Sequence, residues 1–178
     1  EEICSLTAYN TTAAREETPY GNPWQLIYVF DGDPQTNVVC EGYAKAFKYL
    51  CDLSDFDGTV VCRTVTGKMG AGGHMWNVVQ MGDGKNYLVD VTNCDSGTIG
   101  ADDKLFLTGA APSEEGRTYT VSKGMCWAVY TYDEDQAGLY ADGWLALSEA
   151  DYVDMSGVTV TVGPAQTEAP VRTAFADV

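Results

Sequence analysis

Between Cys40 and Leu53 apolar residues return every three or four positions. Tyr43, Phe47, Leu50 and Cys51 share one stripe with Ala44 and Ala46 beside it, while Lys45, Lys48 and Asp52 take the other side. This spacing predicts a helix with one buried face. Residues 59–66 (Thr-Val-Val-Cys-Arg-Thr-Val-Thr) are rich in β-branched side chains and predict a strand. A glycine-dense loop is expected from Gly67 to Gly73. His74–Met81 and Asn86–Thr92 then read as two strands joined about Gly82-Asp83-Gly84, a hairpin signal.

The flanking patterns are less regular. Residues 6–14 predict a helix with Leu6, Tyr9 and Ala13 on one stripe. Residues 15–24, broken by Pro19, Gly21, Asn22 and Pro23, predict a loop. Gln25–Phe30 reads as a strand or buried segment, ended by Asp31-Gly32-Asp33-Pro34. Beyond Cys94, Lys104–Leu107 suggests a short buried segment, and Tyr119–Val121, Cys126–Tyr132 and Val158–Val162 suggest strands. Ser148–Val153 suggests a helical turn. The organisation expected is a single domain over residues 1–165, its motif-bearing core at 39–95, followed by a tail or linker over 166–178. A helix followed by a run of strands implies the α+β class with an antiparallel sheet.

A length of 178 residues allows one domain with a substantial core, and 45% hydrophobic residues argue against disorder over most of it. Against 10 basic residues stand 26 acidic ones, a formal charge of −16. Such a surface repels phosphate backbones and anionic lipid, so neither nucleic acid nor a membrane is expected as partner. No apolar run approaches the roughly 20 residues that span a bilayer. The acidity suits solubility outside the cell, and an extracellular or cell-surface location is expected, although the chain opens on Glu1-Glu2 with no leader visible.

Six cysteines stand at 4, 40, 51, 62, 94 and 126 with no C-x-x-C, and there is one histidine. A zinc site would have to gather scattered thiols, so no metal and no cofactor is expected. Zero to two disulfides are expected, because a nucleophilic thiol must stay free. The aspartates at 31, 33, 133 and 135 read as turn residues rather than calcium ligands.

Any Cys-His or Ser-His chemistry must run through His74, the lone histidine. Cys40 heads the predicted helix, where unpaired N–H groups and the positive end of the dipole favour a thiolate and can hold an oxyanion. Gly42 removes a side chain where substrate or sheet must come close. The other cysteines lack that setting and read as small apolar fillers. Asp90 lies in an apolar strand, where a carboxylate is costly unless a donor meets it; an imidazole N–H is a suitable donor.

Hairpin register tests this grouping. A two-residue Asp83-Gly84 turn would pair Asn77 with Asp90 and leave His74 on the opposite face. A three-residue loop with Gly84 left-handed pairs Met81 with Lys85 and Trp76 with Asp90, bringing His74 diagonally next to Asp90. The odd-length loop is therefore expected.

V-C-E-G-Y-A-K-A-F at 39–47, H-M-W-N-V-V at 74–79 and Y-L-V-D-V-T at 87–92 resemble, in order and spacing, the three core motifs of the transglutaminase-like superfamily, in a bacterial secreted form. The resemblance implies a papain-like arrangement, a cysteine-headed helix packed on an antiparallel sheet. It also implies thiol-dependent acyl transfer or hydrolysis at amide bonds, as a protease, amidase or transglutaminase. By position Cys40 would be the nucleophile, His74 the base and Asp90 the orienting acid, with Trp76 and Asn77 in support. Substrates would be peptides or proteins, cell-wall peptides among them. The second oxyanion donor is open among Gln25, Gln35 and Tyr20. Many relatives carry Trp-Asp where this chain has Asn93-Cys94, which alters the wall beside the triad. The alternative is a non-catalytic binding module of a cell-surface protein, against which an intact triad argues.

Overall fold

The computed structural model describes residues 1–16, 20–33, 35–56, 58–96, 104–113, 116–136 and 142–153, with backbone alone at 95 and 96. The expected strand Val158–Val162 and the tail lie outside these residues. The described chain is α+β. Its helices are α1 (Glu2–Leu6), α2 (Thr11–Arg15), α3 (Trp24–Phe30), α4 (Cys40–Leu53) and α5 (Val91–Ser96). The strands β1 (Val61–Met69), β2 (Gly72–Gln80), β3 (Asn86–Val89), β4 (Ala111–Pro112), β5 (Thr118–Lys123) and β6 (Cys126–Tyr132) form one antiparallel sheet ordered β3-β2-β1-β6-β5-β4.

Both faces of the sheet are covered. Tyr43 and Ala46 of α4 pack with Cys62, Val79 and Val89 on one face, together with Ile3 and Val29 from α1 and α3. On the other, Val65, Trp76, Val78, Leu88, Tyr130 and Tyr132 meet Leu105, Leu145 and Leu147 from the later loops. Burying each such large side chain stabilises the fold by about 1.5–3 kcal/mol. β2 is thus enclosed front and back from His74 to Val79, which is why its sequence runs apolar instead of alternating.

The helix over 40–53 lies where its periodicity put it, and the hairpin has the expected register. Asn77 faces Val89 and Gln80 faces Asn86. Met81 N–H donates to the Lys85 carbonyl at 3.0 Å across Gly82-Asp83-Gly84, and Gly84 has φ 78°. The loop is odd.

Several expectations are corrected. Residues 6–14 are not one helix: Tyr9 leaves α1 to bridge Val38, and Asn10 starts α2 by accepting the Ala13 N–H at 2.9 Å. Gln25–Phe30 is helical, although its residues favour strands. Pro23 precedes it with φ −66°, and packing against α4 overrides the local preference. The glycine run is a tight hairpin, since β1 continues to Met69 and β2 starts at Gly72, leaving Gly70-Ala71 as the turn. Gly67 stays in the sheet because a Cβ there would lie 2.1 Å from the Thr131 carbonyl oxygen and 2.8 Å from Trp76. The strand from Asn86 stops at Val89, and α5 begins at Val91. Of 104–107 only Leu105 is fully buried, and Ser148–Val153 is bent chain with no helix. No disulfide is formed among the six cysteines. Among the described residues no helix is long and apolar enough to cross a membrane.

Candidate active site

The approach to α4 is clamped from two sides. Val38 exchanges backbone hydrogen bonds with the 8–10 segment, and Val39 N–H donates to Gln25 Oε1 at 2.9 Å. Cys40 follows as the first helical residue, and no side chain caps that first turn. Cys40 lines a cavity of about 620 Å³ together with Tyr9, Tyr20, Lys68, Gly72 and Gly73. Gly42 makes room for the approach to the helix: a Cβ there would lie 2.6 Å from Val38 and 3.0 Å from the Gln25 carbonyl oxygen.

β3 ends opposite Asn77, so the first part of β2 runs past it. At that margin His74 Nε2 meets Asp90 Oδ2 at 2.8 Å. The Cys40 thiol is near enough to act on the ring and favour its protonated form, and with Nε2 engaged by Asp90 the nitrogen left for sulfur is Nδ1. The three residues expected to act together are together, with Cys40 and His74 nearly covered, at 5% and 6% exposure, and Asp90 wholly buried. A second cavity of about 350 Å³ reaches His74 and shares Tyr9, Gly72 and Gly73 with the first.

Burial alone would drive the imidazole toward its neutral form. The Asp90 charge and hydrogen bond outweigh it, with Cys40 adding to them, and the His74 pKa is raised to about 10. For Asp90, burial likewise opposes ionisation, but His74, Tyr130 and Asn93 together hold its pKa below the usual carboxylate value. The carboxylate is fully satisfied. Oδ2 accepts from Tyr130 Oη and Asn93 Nδ2, each at 2.7 Å, and Oδ1 accepts the Asn93 backbone N–H at 3.3 Å.

Trp76 belongs to the core and also stacks on His74, with centroids 5.9 Å apart and planes 18° from parallel. Asn77 does not touch the triad. Its Nδ2 donates to the Ala44 carbonyl at 3.0 Å and to Arg63 at 3.4 Å, pinning the cysteine helix to the histidine strand. Of the three oxyanion candidates, Tyr20 lines the Cys40 cavity. Gln25 uses its carbonyl to hold Val39, and Gln35 is exposed, folded back on Asp33 and away from both cavities.

Three contributors escaped sequence reasoning. Tyr130 was read only as strand, although a tyrosine on the inner face of Cys126–Tyr132 needs a hydroxyl partner. Asn93, expected only as part of the wall, donates to Asp90. Tyr9, assigned to a helical stripe, stands between the two cavities. No family model matches the chain, and no curated protein or solved structure matches it either.

Proposed function

We propose that the protein is a cysteine-dependent acyl-transfer enzyme with a papain-like, transglutaminase-like core, acting on amide bonds of peptides or proteins. One observation carries the reading: the lone histidine is held at 2.8 Å by a fully satisfied carboxylate and is acted on electrostatically by the thiol that starts α4. Asp90 orients the ring and supports the imidazolium. The Cys40 sulfur attacks the carboxamide carbon, and backbone N–H groups at the head of α4 face the developing oxyanion. His74 then delivers a proton to the departing amine, leaving a thioester. Water resolves this to an acid, or an amine resolves it to a new amide, and the thiol is regenerated.

The tight closure of the site, with thiol and ring each almost covered, favours a second reading as a binding module that keeps the fold without turnover. Alkylation by iodoacetamide at neutral pH separates the two. Cys126 is exposed and Cys40 is not, so passive access predicts that Cys126 is labelled first. An activated nucleophile predicts the reverse, with the preference lost in His74→Ala. Labelling that follows exposure alone, indifferent to His74, would remove the enzymatic reading.

A further inference from the structure

β2 opens on two glycines that the fold does not require. Neither Gly72 nor Gly73 has a positive φ. A Cβ at Gly72 would meet nothing within 4 Å, and one at Gly73 only the Tyr20 hydroxyl at 3.4 Å. Gly42 and Gly67 differ, since neighbouring atoms leave a Cβ no room there. Glycine weakens a strand interior, and a bare stretch of strand is where another backbone comes close. Gly72 and Gly73 wall both cavities, one reaching the thiol and the other the imidazole. Among the described residues, their only strand partner is β1, because β3 pairs no further than Asn77.

Directly across the β1–β2 ladder from Gly73 stands Lys68, exposed and lining the Cys40 cavity. In a chain with 26 acids and 10 bases, it is the only charged side chain among the described residues lining that cavity, leaving the thiol aside. Lys45, Lys48, Arg117 and Lys123 each have a carboxylate within ion-pair distance; among the described residues Lys68 has none. Of the acids nearby, Glu41 is neutralised by Lys45 at 2.5 Å and accepts the Gly21 N–H. Asp133 acts on Tyr20 and is the counterweight.

From this placement we infer an acyl-donor subsite. An extended peptide lies over Gly72-Gly73, and a carboxylate beside its scissile carboxamide is held at Lys68. The inference rests on Cys40 being the nucleophile. The chain's overall negative field is screened beyond about 8 Å at physiological salt, so Lys68 sets the potential inside the cavity.

Iodoacetate and iodoacetamide present the same reacting carbon with and without a carboxylate. The ratio of their rates at Cys40 therefore cancels any change in thiolate fraction and isolates the charge preference. In the intact chain Lys68→Ala lowers this ratio about threefold and Lys68→Glu about tenfold, as expected for removing and then reversing one charge across a water-filled cavity. Asp133→Asn raises it. Gly72→Val, with unchanged thermal unfolding, slows a chloroacetylated Gly-Asp dipeptide more than it slows iodoacetamide. Selective alkylation of Cys40 with a ratio unmoved by both Lys68 variants overturns the subsite and leaves the nucleophile in place. Absence of selective alkylation at Cys40 by either reagent overturns both.

Discussion

Tyr130 and His74 converge on one atom. The tyrosine hydroxyl lies 2.7 Å from Asp90 Oδ2, and the imidazole Nε2 lies 2.8 Å from the same oxygen. The carboxylate that orients the histidine is thus itself held by a residue of β6, which is separated from the histidine strand by β1. Tyr130→Phe keeps the ring in the core and removes only this donor. Stability in urea unfolding is expected to fall by about 1.5–3 kcal/mol, the range for a hydrogen bond to a charged group. Alkylation of Cys40 is expected to change far less than in His74→Ala. A loss as large as that of the histidine variant would give Tyr130 a direct part in the chemistry.

The His74–Asp90 pair makes stability depend on pH in a definite direction. The histidine pKa is raised in the folded state, from the ordinary 6.5 to about 10. Its contribution is therefore complete below about pH 6.5 and is lost as pH rises through about 10. The Asp90 pKa is lowered, so its contribution is present above the ordinary 3.8 and is lost as pH falls through its folded value. Urea unfolding at about pH 6 and about pH 10 is expected to show a marked alkaline loss that is flattened in His74→Gln. Equal alkaline losses in both proteins would dissociate the effect from this pair.

Asn77 of β2 is fully buried and donates to one backbone carbonyl of α4, at Ala44, and one of β1, at Arg63. Asn77→Ala should cost about 1–3 kcal/mol in chemical denaturation. Asn77→Asp should cost more, about 3–5 kcal/mol, because it sets a buried carboxylate against carbonyl oxygens with no donor. The aspartate variant should also gain stability on acidification, as its added group takes up a proton.

The glycines of the 67–73 hairpin divide sharply. Gly67→Ala drives a methyl into Thr131 and Trp76 and should cost about 3 kcal/mol. Gly72→Ala meets no atom and should be neutral or stabilising by about 0.5–1 kcal/mol. Thermal unfolding of the two single variants reads the contrast directly.

What could be read from the chain was what local physics decides. The α4 periodicity needed only its own residues. The loop parity that brings Asp90 to His74 needed only a glycine able to take φ 78° at position 84. What could not be read was set by distant contacts. Gly67 looks like loop until β6 is laid beside it, and Gln25–Phe30 looks like strand until α4 supplies a surface to pack on. Tyr130 lies 40 residues from the carboxylate it serves, and no short-range pattern joins them. Asn93 is aimed at Asp90 by the turn from β3 into α5, which the β-branched run through Thr92 does not signal.

The double covering of β2 ties reactivity to integrity. This strand carries the imidazole, supports the thiol's helix through Asn77, and is sealed by a hydrophobic layer on each side. Among the described residues, the imidazole is thus carried by a strand buried from His74 to Val79. Slow isotope exchange of its amide protons would then report on global opening, and a substitution that loosens either layer would blunt the chemistry before it unfolded the protein.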